Sequence, residues 1–280
     1  MSFEYTKTDV ILKVKDVCLS FYDKSKNENT QILKDVNVEI KDVVRPGMYQ
    51  GQVVGFLAPS GMGKTLLFEI IAGLRKPTSG QVLLGNPLTP VKTGRVGVVQ
   101  QNYPLFTYRT VYNNLMVAAN NGLIPKEQRK EAVMNILNSF GLSKHNNRYP
   151  SELSGGQRQR VAIAQQMLCS EHFLLLDEPF SGLDLLMIEK VLNMLRSIST
   201  LHELNTIIIV SHDIVSTASI ADTLWVMGRD RDKEGNPIQG ARIKHEYDLM
   251  AMDLAWRKGI ETEPKFNYLI KEVRAVFPTL

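Results

Sequence analysis

The stretch "APSGMGKT", residues 58–65, sets two glycines, a lysine and a threonine between the apolar run "GQVVGFLA" and the helix-like "KTLLFEIIAGL". Backbone N–H groups from Gly61 to Thr65 can wrap an anion there, and a helix start adds partial positive charge. This is the setting a phosphate-binding loop needs, with Lys64 reaching the β- and γ-phosphates of a nucleotide and the Thr65 hydroxyl ligating Mg²⁺. A second apolar run, "FLLLDEP", ends in Asp177 and Glu178. At such a strand end one carboxylate can hold Mg²⁺ while the next orients or deprotonates an attacking water. His212 closes a third run, "IIIVSHD", and Gln101 follows "VGVVQ". An imidazole N–H there can sense a terminal phosphate. A glutamine amide offers donor and acceptor to Mg²⁺ or to the water. Taken singly, each of these also reads as an ordinary loop or strand exit.

A second anion site is suggested by "SELSGGQRQRVAIAQQM", residues 151–167. Two adjacent glycines weaken a helix interior by about 1 kcal/mol each relative to alanine, so Gly155 and Gly156 belong at a helix start. Behind Ser154 they would leave N–H groups exposed, with no side chain in the way. Lying shortly before the run that ends in Asp177 and Glu178, the stretch is more than a hinge.

Positioning these groups is the task of the flanking elements. Residues 10–22 and 31–40 partly alternate apolar with polar across a polar link, which predicts two antiparallel strands. The near-continuous apolar runs at 51–58, 173–177 and 205–211 predict strands buried on both faces. Helical spacing separates them, so the pattern is strand, helix, strand, and the fold class is α/β with a mainly parallel sheet. Residues 103–160 read as an inserted helical segment. Within it Ala132, Val133, Ile136, Leu137 and Phe140 share one face, and Gly141 takes the C-cap. From 228 onward the reading thins to a strand at "ARIKH" and an amphipathic helix at "FNYLIKEVRAVF".

The composition frames these motifs without deciding among them. The chain has 280 residues, 44% hydrophobic and 22% charged, which is enough for a well-buried core. A net charge of +4 is too mild to argue for nucleic acid. Two cysteines make neither a disulfide framework nor a metal site and suit a reducing compartment. The opening "MSFEYTKTD" carries no signal-peptide pattern, and no apolar run approaches the ~20 residues that cross a bilayer.

Taken in order, "APSGMGKT", Gln101, "LSGGQRQR", "FLLLDEP", "SGLD" and "VSHD" resemble the nucleotide-binding subunit of an ATP-binding cassette (ABC) transporter over roughly residues 10–228. The resemblance implies a P-loop NTPase core with an N-terminal antiparallel β subdomain and an inserted α-helical subdomain. It treats 1–280 as one ABC ATPase domain with a C-terminal extension at about 228–280 of unclear role. Residue by residue, Tyr22 (or Phe21) resembles the aromatic that stacks on adenine. Ser60, Gly61, Met62, Gly63, Lys64 and Thr65 match the Walker A loop. Gln101 matches the Q-loop glutamine, and Leu153, Ser154, Gly155, Gly156 and Gln157 match the signature motif. Asp177 matches the Walker B aspartate, Glu178 the general base and His212 the switch histidine. Ser181, Gly182, Leu183 and Asp184 match the D-loop.

The resemblance implies ATP and Mg²⁺ as cofactors, the metal held by Thr65, Gln101 and Asp177. It implies a head-to-tail pair of copies in which each signature edge meets the γ-phosphate held by the other copy. It also implies a separate membrane permease as partner, a peripheral place on the cytoplasmic face of the inner or plasma membrane, and no nucleic acid. Import is favoured over export. Three departures accompany it: Ala58 stands where the loop usually has glycine, Gln165 and Gln166 replace arginine then alanine, and "DVVRPGMYQ" (42–50) lengthens the hairpin before the Walker A strand. The competing readings are a soluble ABC ATPase acting on nucleic acid or ribosomes, and a non-catalytic switch that uses ATP only to dimerise. No heptad run lies between Lys64 and Ser154, which weighs against the first.

Overall fold

The structure, a computed structural model, describes residues 4–24, 27–46, 51–170, 173–199, 206–257 and 259–280. Its backbone is one ten-stranded sheet in the order β5-β4-β1-β2-β10-β9-β3-β8-β7-β6. The strands are β1 (Thr6–Asp23), β2 (Glu28–Val44), β3 (Gln52–Leu57), β4 (Ser79–Leu84), β5 (Thr89–Pro90), β6 (Val96–Val99), β7 (Phe173–Asp177), β8 (Thr206–Ser211), β9 (Thr223–Arg231) and β10 (Pro237–Asp248). The helices are α1 (Lys64–Ile71), α2 (Val111–Asn121), α3 (Arg129–Ser139), α4 (Gly155–Cys169), α5 (Leu185–Ser199), α6 (Ile214–Ala218) and α7 (Pro264–Val276).

β9, β3, β8, β7 and β6 run parallel to one another. Every residue of β3 and β8 is buried, as a strand covered by helices on both faces requires. Each Leu, Ile or Val sealed there contributes about 1.5–3 kcal/mol of apolar burial. Gly55 in β3 leaves room for the covering layer, since a Cβ on it would lie 2.5 Å from Leu224 and 2.6 Å from the Thr217 methyl. The antiparallel half is built from β1 against β2 and β4, as the alternation predicts.

The segment beyond 228 is no appendage. β9 runs on to Arg231, and β10 returns antiparallel to it and then pairs parallel with β2 through Ala241 and Leu33. One strand thus welds the two halves of the sheet. α7 packs nearby, burying Phe266, Leu269, Ile270 and Val273 in a cluster with Leu57 of β3 and Leu224 and Val226 of β9. The "ARIKH" strand is therefore longer than its apolar letters suggest.

The inserted helices form a second cluster with the β7 side of the sheet, and Val133 and Leu137 of α3 lie inside it with Phe140, its C-cap. Gly141 follows with φ of 62°, the left-handed turn expected after that helix. α4 is continuous from Gly155 to Cys169, so the expected boundary at 160 falls inside it. Gln165 is buried, and Gln166 Oε1 accepts from the Val98 amide on the outermost strand, β6. A glutamine thus blunts a sheet edge that would otherwise offer an unpaired donor. Of "DVVRPGMYQ", residues 42–44 complete β2, Arg45 enters the core, and 47–50 lie outside the described residues.

Candidate nucleotide site

The parallel register gathers the chemistry. Leu57 of β3 sits opposite Ser211 of β8, and Asp177 of β7 sits opposite Val210. Val99 of β6 is level with Leu176. The residues that follow these positions, the Ala58–Thr65 loop, Glu178, His212 and Gln101, therefore leave the sheet at one end. That is the carboxyl end of parallel strands, where open α/β sheets bind ligands.

The loop takes its shape from Gly61 and Gly63, whose φ values are 82° and 84°. A Cβ on Gly63 would also come within 2.7 Å of Ile32, so the position is closed to other residues on two counts. Gly63 is the N-cap of α1, and Lys64 is its first residue. Ala58 is fully buried in the core and does not take a positive φ, which removes the steric objection to its methyl group.

Lys64 Nζ donates to the Ala58 carbonyl at 2.6 Å and lies 3.6 Å from Glu178 Oε1. Glu178 has φ of 49°, and its amide donates to Val210 O at 2.8 Å. Its Oε2 accepts from Ser211 Oγ at 3.2 Å and from the His212 amide at 3.3 Å, and lies 2.8 Å from His212 Nδ1. Burial raises the Asp177 carboxyl above its ordinary value; the Glu178 charge adds to this, while Lys64 opposes it. Lys64, Asp177, Glu178 and His212 are thus brought together. Gln101 is tied to the next loop, its Nε2 donating to Ser181 Oγ at 3.1 Å.

The signature stretch stands apart at the start of α4. Ser154 caps that helix, its Oγ accepting from the Gln157 amide while Gln157 Oε1 accepts from the Ser154 amide. Gly155 has nothing within 4 Å of where a Cβ would be, whereas one on Gly156 would meet Met187 at 3.3 Å. Leu153 is buried and anchors the edge. In the Ser181–Asp184 loop, Gly182 takes φ of 71° and Asp184 Oδ1 caps α5 at the Met187 amide. Tyr22 is 57% exposed and donates to Asn27, while Phe21 lies under the Arg75 guanidinium. Of the two aromatics, Tyr22 is the more exposed.

Three further polar residues, none of them among the candidate site residues, also shape the site. Gln159 joins α4 to the Asp177–Glu178 segment by donating to Pro179 O at 3.5 Å, and its side chain hydrogen-bonds Tyr103. Asn114, with no exposed surface, accepts from the Phe106 amide and donates to the carbonyls of Phe106, Arg109 and Thr110. Ser211 holds Glu178, as described above. The letters around these three residues do not say which partner each one meets.

The site fits a nucleotide with Mg²⁺. Nothing lies within 4 Å of where a Cβ on Gly61 would be, and a lysine stands at the end of the loop. Among the described residues no group of three or more His, Cys, Asp or Glu side chains forms a metal cage. Mg²⁺ keeps several waters and phosphate oxygens and is bound through one or two carboxylates, a role open to Asp177 at the end of β7.

A mixed α/β sheet with a phosphate loop, an acidic strand end and a second glycine-lined helix start defines an ABC ATPase cassette. The family model described as ABC transporter matches residues 42–181. The chain belongs to this family. It is 35% identical over 242 residues to the methionine import ATP-binding protein MetN of Corynebacterium jeikeium, covering 83% of this chain and 62% of that one. It is 37% identical over 202 residues to the sulfate/thiosulfate import ATP-binding protein CysA of Synechocystis sp., covering 71% and 54%. The chain thus spans little more than half the length of these relatives. Among solved structures, cbiO1 from Clostridium perfringens, part of the ABC transporter complex cbiONQ, superposes with a TM-score of 0.70 at 28% identity, covering 96% of this chain and 95% of that one. An ATP-binding cassette solved as a dimer in a post-hydrolysis state with ADP and Pi matches with a TM-score of 0.66 at 26% identity, covering 85% and 99%.

Proposed function

We propose that the chain is the ATP-hydrolysing subunit of a multi-subunit ABC transporter, with 1–280 acting as one cassette. ATP draws two copies together head to tail, and hydrolysis releases them to drive a separate membrane permease. The carrying observation is the convergence of Lys64, Glu178 and His212 within hydrogen-bond or ion-pair reach at one end of the parallel sheet. The relatives' names as import ATP-binding proteins support import. No helix among the described residues is long and apolar enough to cross a membrane, so the reading requires a membrane-spanning partner and a peripheral place on the cytoplasmic face.

Bound with Mg²⁺, ATP supplies the phosphoanhydride bond to be cleaved; Thr65, Asp177 and Gln101 would hold the metal. The N–H groups from Ser60 through Met62 to Thr65 cradle the phosphates, and Lys64 exchanges the Ala58 carbonyl for phosphate oxygens. Tyr22 stacks on the base. Glu178 orients the attacking water and accepts its proton. With Nδ1 of His212 directed at Glu178, Nε2 is the ring nitrogen left for the terminal phosphate. Leu153 to Gln157 of a second copy complete the chamber, with Ser181 to Asp184 lying beside it.

Turnover of ATP by the purified protein tests the reading. Wild type should hydrolyse it and Glu178→Gln should lose at least about a hundredfold, the usual worth of a general base. Equal rates for the two proteins would defeat it.

A further inference from the structure

We propose that Ser211 is the positioning residue that aims the Glu178 carboxylate; this rests on the reading of Glu178 as general base. Ser211 is the last residue of β8 and is fully buried. A hydroxyl has one proton and two lone pairs. The Asp213 amide donates to Ser211 Oγ at 3.0 Å, which occupies the acceptor side and sends the proton towards Glu178 Oε2 at 3.2 Å.

The other side-chain contacts of Glu178 cannot serve as a fixed mount. Lys64 has to leave for the phosphates, and the His212 side chain is 58% exposed. The left-handed backbone of Glu178 is uncommon for a residue with a side chain, and such conformations persist only where the surroundings over-determine them. Here the Val210 carbonyl holds its amide and the adjacent Ser211 hydroxyl holds its carboxylate. With Oε2 saturated by Ser211 and the His212 amide, Oε1 is the oxygen that receives the water's proton.

The test is Ser211→Ala in the purified full-length protein. Losing one hydrogen bond to a charged group predicts a fall in kcat of about tenfold or more, with KM and the Kd for ATP unchanged and the unfolding transition retained. In the Glu178→Gln background the same change should leave the residual rate alone, because there is no carboxylate left to aim. Wild-type kcat in Ser211→Ala, an equal loss in both backgrounds, or a loss confined to KM would overturn the proposal. Wild-type turnover in Glu178→Gln would instead remove the general-base reading beneath it.

Discussion

The Arg45 guanidinium lies 3.2 Å from Asp222 Oδ2, both side chains almost wholly buried, and so ties the end of β2 to the start of β9. Oδ2 also accepts from the Val53 amide at 2.8 Å, and Arg45 stacks 4.3 Å from the Trp256 ring. The arginine further donates to Gly51 O, just ahead of the strand that leads to the phosphate loop. Removing the carboxylate would strand a buried cation, at a cost of about 3–5 kcal/mol. Denaturant unfolding of Asp222→Ala at pH 8 should show that loss, and a change under 1 kcal/mol would refute it.

Burial pushes the Asp222 carboxyl up to about 6, against the pull of Arg45. The folded protein therefore binds this proton more tightly than the unfolded chain, whose value is the ordinary 3.8. The resulting stabilisation is complete below the unfolded value and is lost as pH rises through 6. Asp222→Asn should flatten that part of the stability–pH curve between pH 4 and 7; an unchanged slope would assign it to another group.

Lys64→Ala should abolish ATP binding, because the loop would lose the single cation aimed at the phosphates. Equilibrium binding of a fluorescent ATP analogue decides it, and wild-type affinity would contradict the assignment of the loop.

Ser154→Arg should leave that affinity intact while blocking ATP-driven pairing of two copies. Gly155 has open space beside it and the edge faces solvent, so the arginine is tolerated until a second copy approaches. Sedimentation with ATP in the Glu178→Gln background would show dimers for Ser154 and monomers for Arg; dimers in both would be the contrary result.

Asn114 holds four backbone groups of the Phe106–Thr110 turn. Asn114→Ala removes the partner of the Phe106 amide and of the Arg109 carbonyl, while the Thr110 and Phe106 carbonyls keep the Asn114 and Arg109 amides, and it should cost about 1–3 kcal/mol. Amide exchange at Phe106 should accelerate with it, and exchange at the wild-type rate would show the turn to be held by other contacts.

The glycine turn before α1, the acidic end of β7 and the glycine-lined start of α4 are legible in the letters as local structures because each is a short segment whose residues act together. Lys64 and Gly63 are neighbours, and Ser154 meets Gln157 one turn later. Arg45 and Asp222 had no such signature, since what makes them partners is the adjacency of strands remote in sequence. The same holds for β10, whose polar letters conceal that it lies in mid-sheet: Arg242 and Lys244 find Asp230 on β9, and Asp248 finds Lys7 on β1. Asn114 likewise carries no signature in the letters, and it is the turn folded over it that makes it core.

Because β10 is the seam between two half-sheets and leaves the ribosome long after β2 and β3, the nascent chain must carry two unjoined edges through most of its synthesis. Pairings so distant along the chain form late and slowly. The nucleotide loop can therefore be complete in covalent sequence while the platform beneath it still awaits its last strand, and quality control by chaperones would be most needed in that interval.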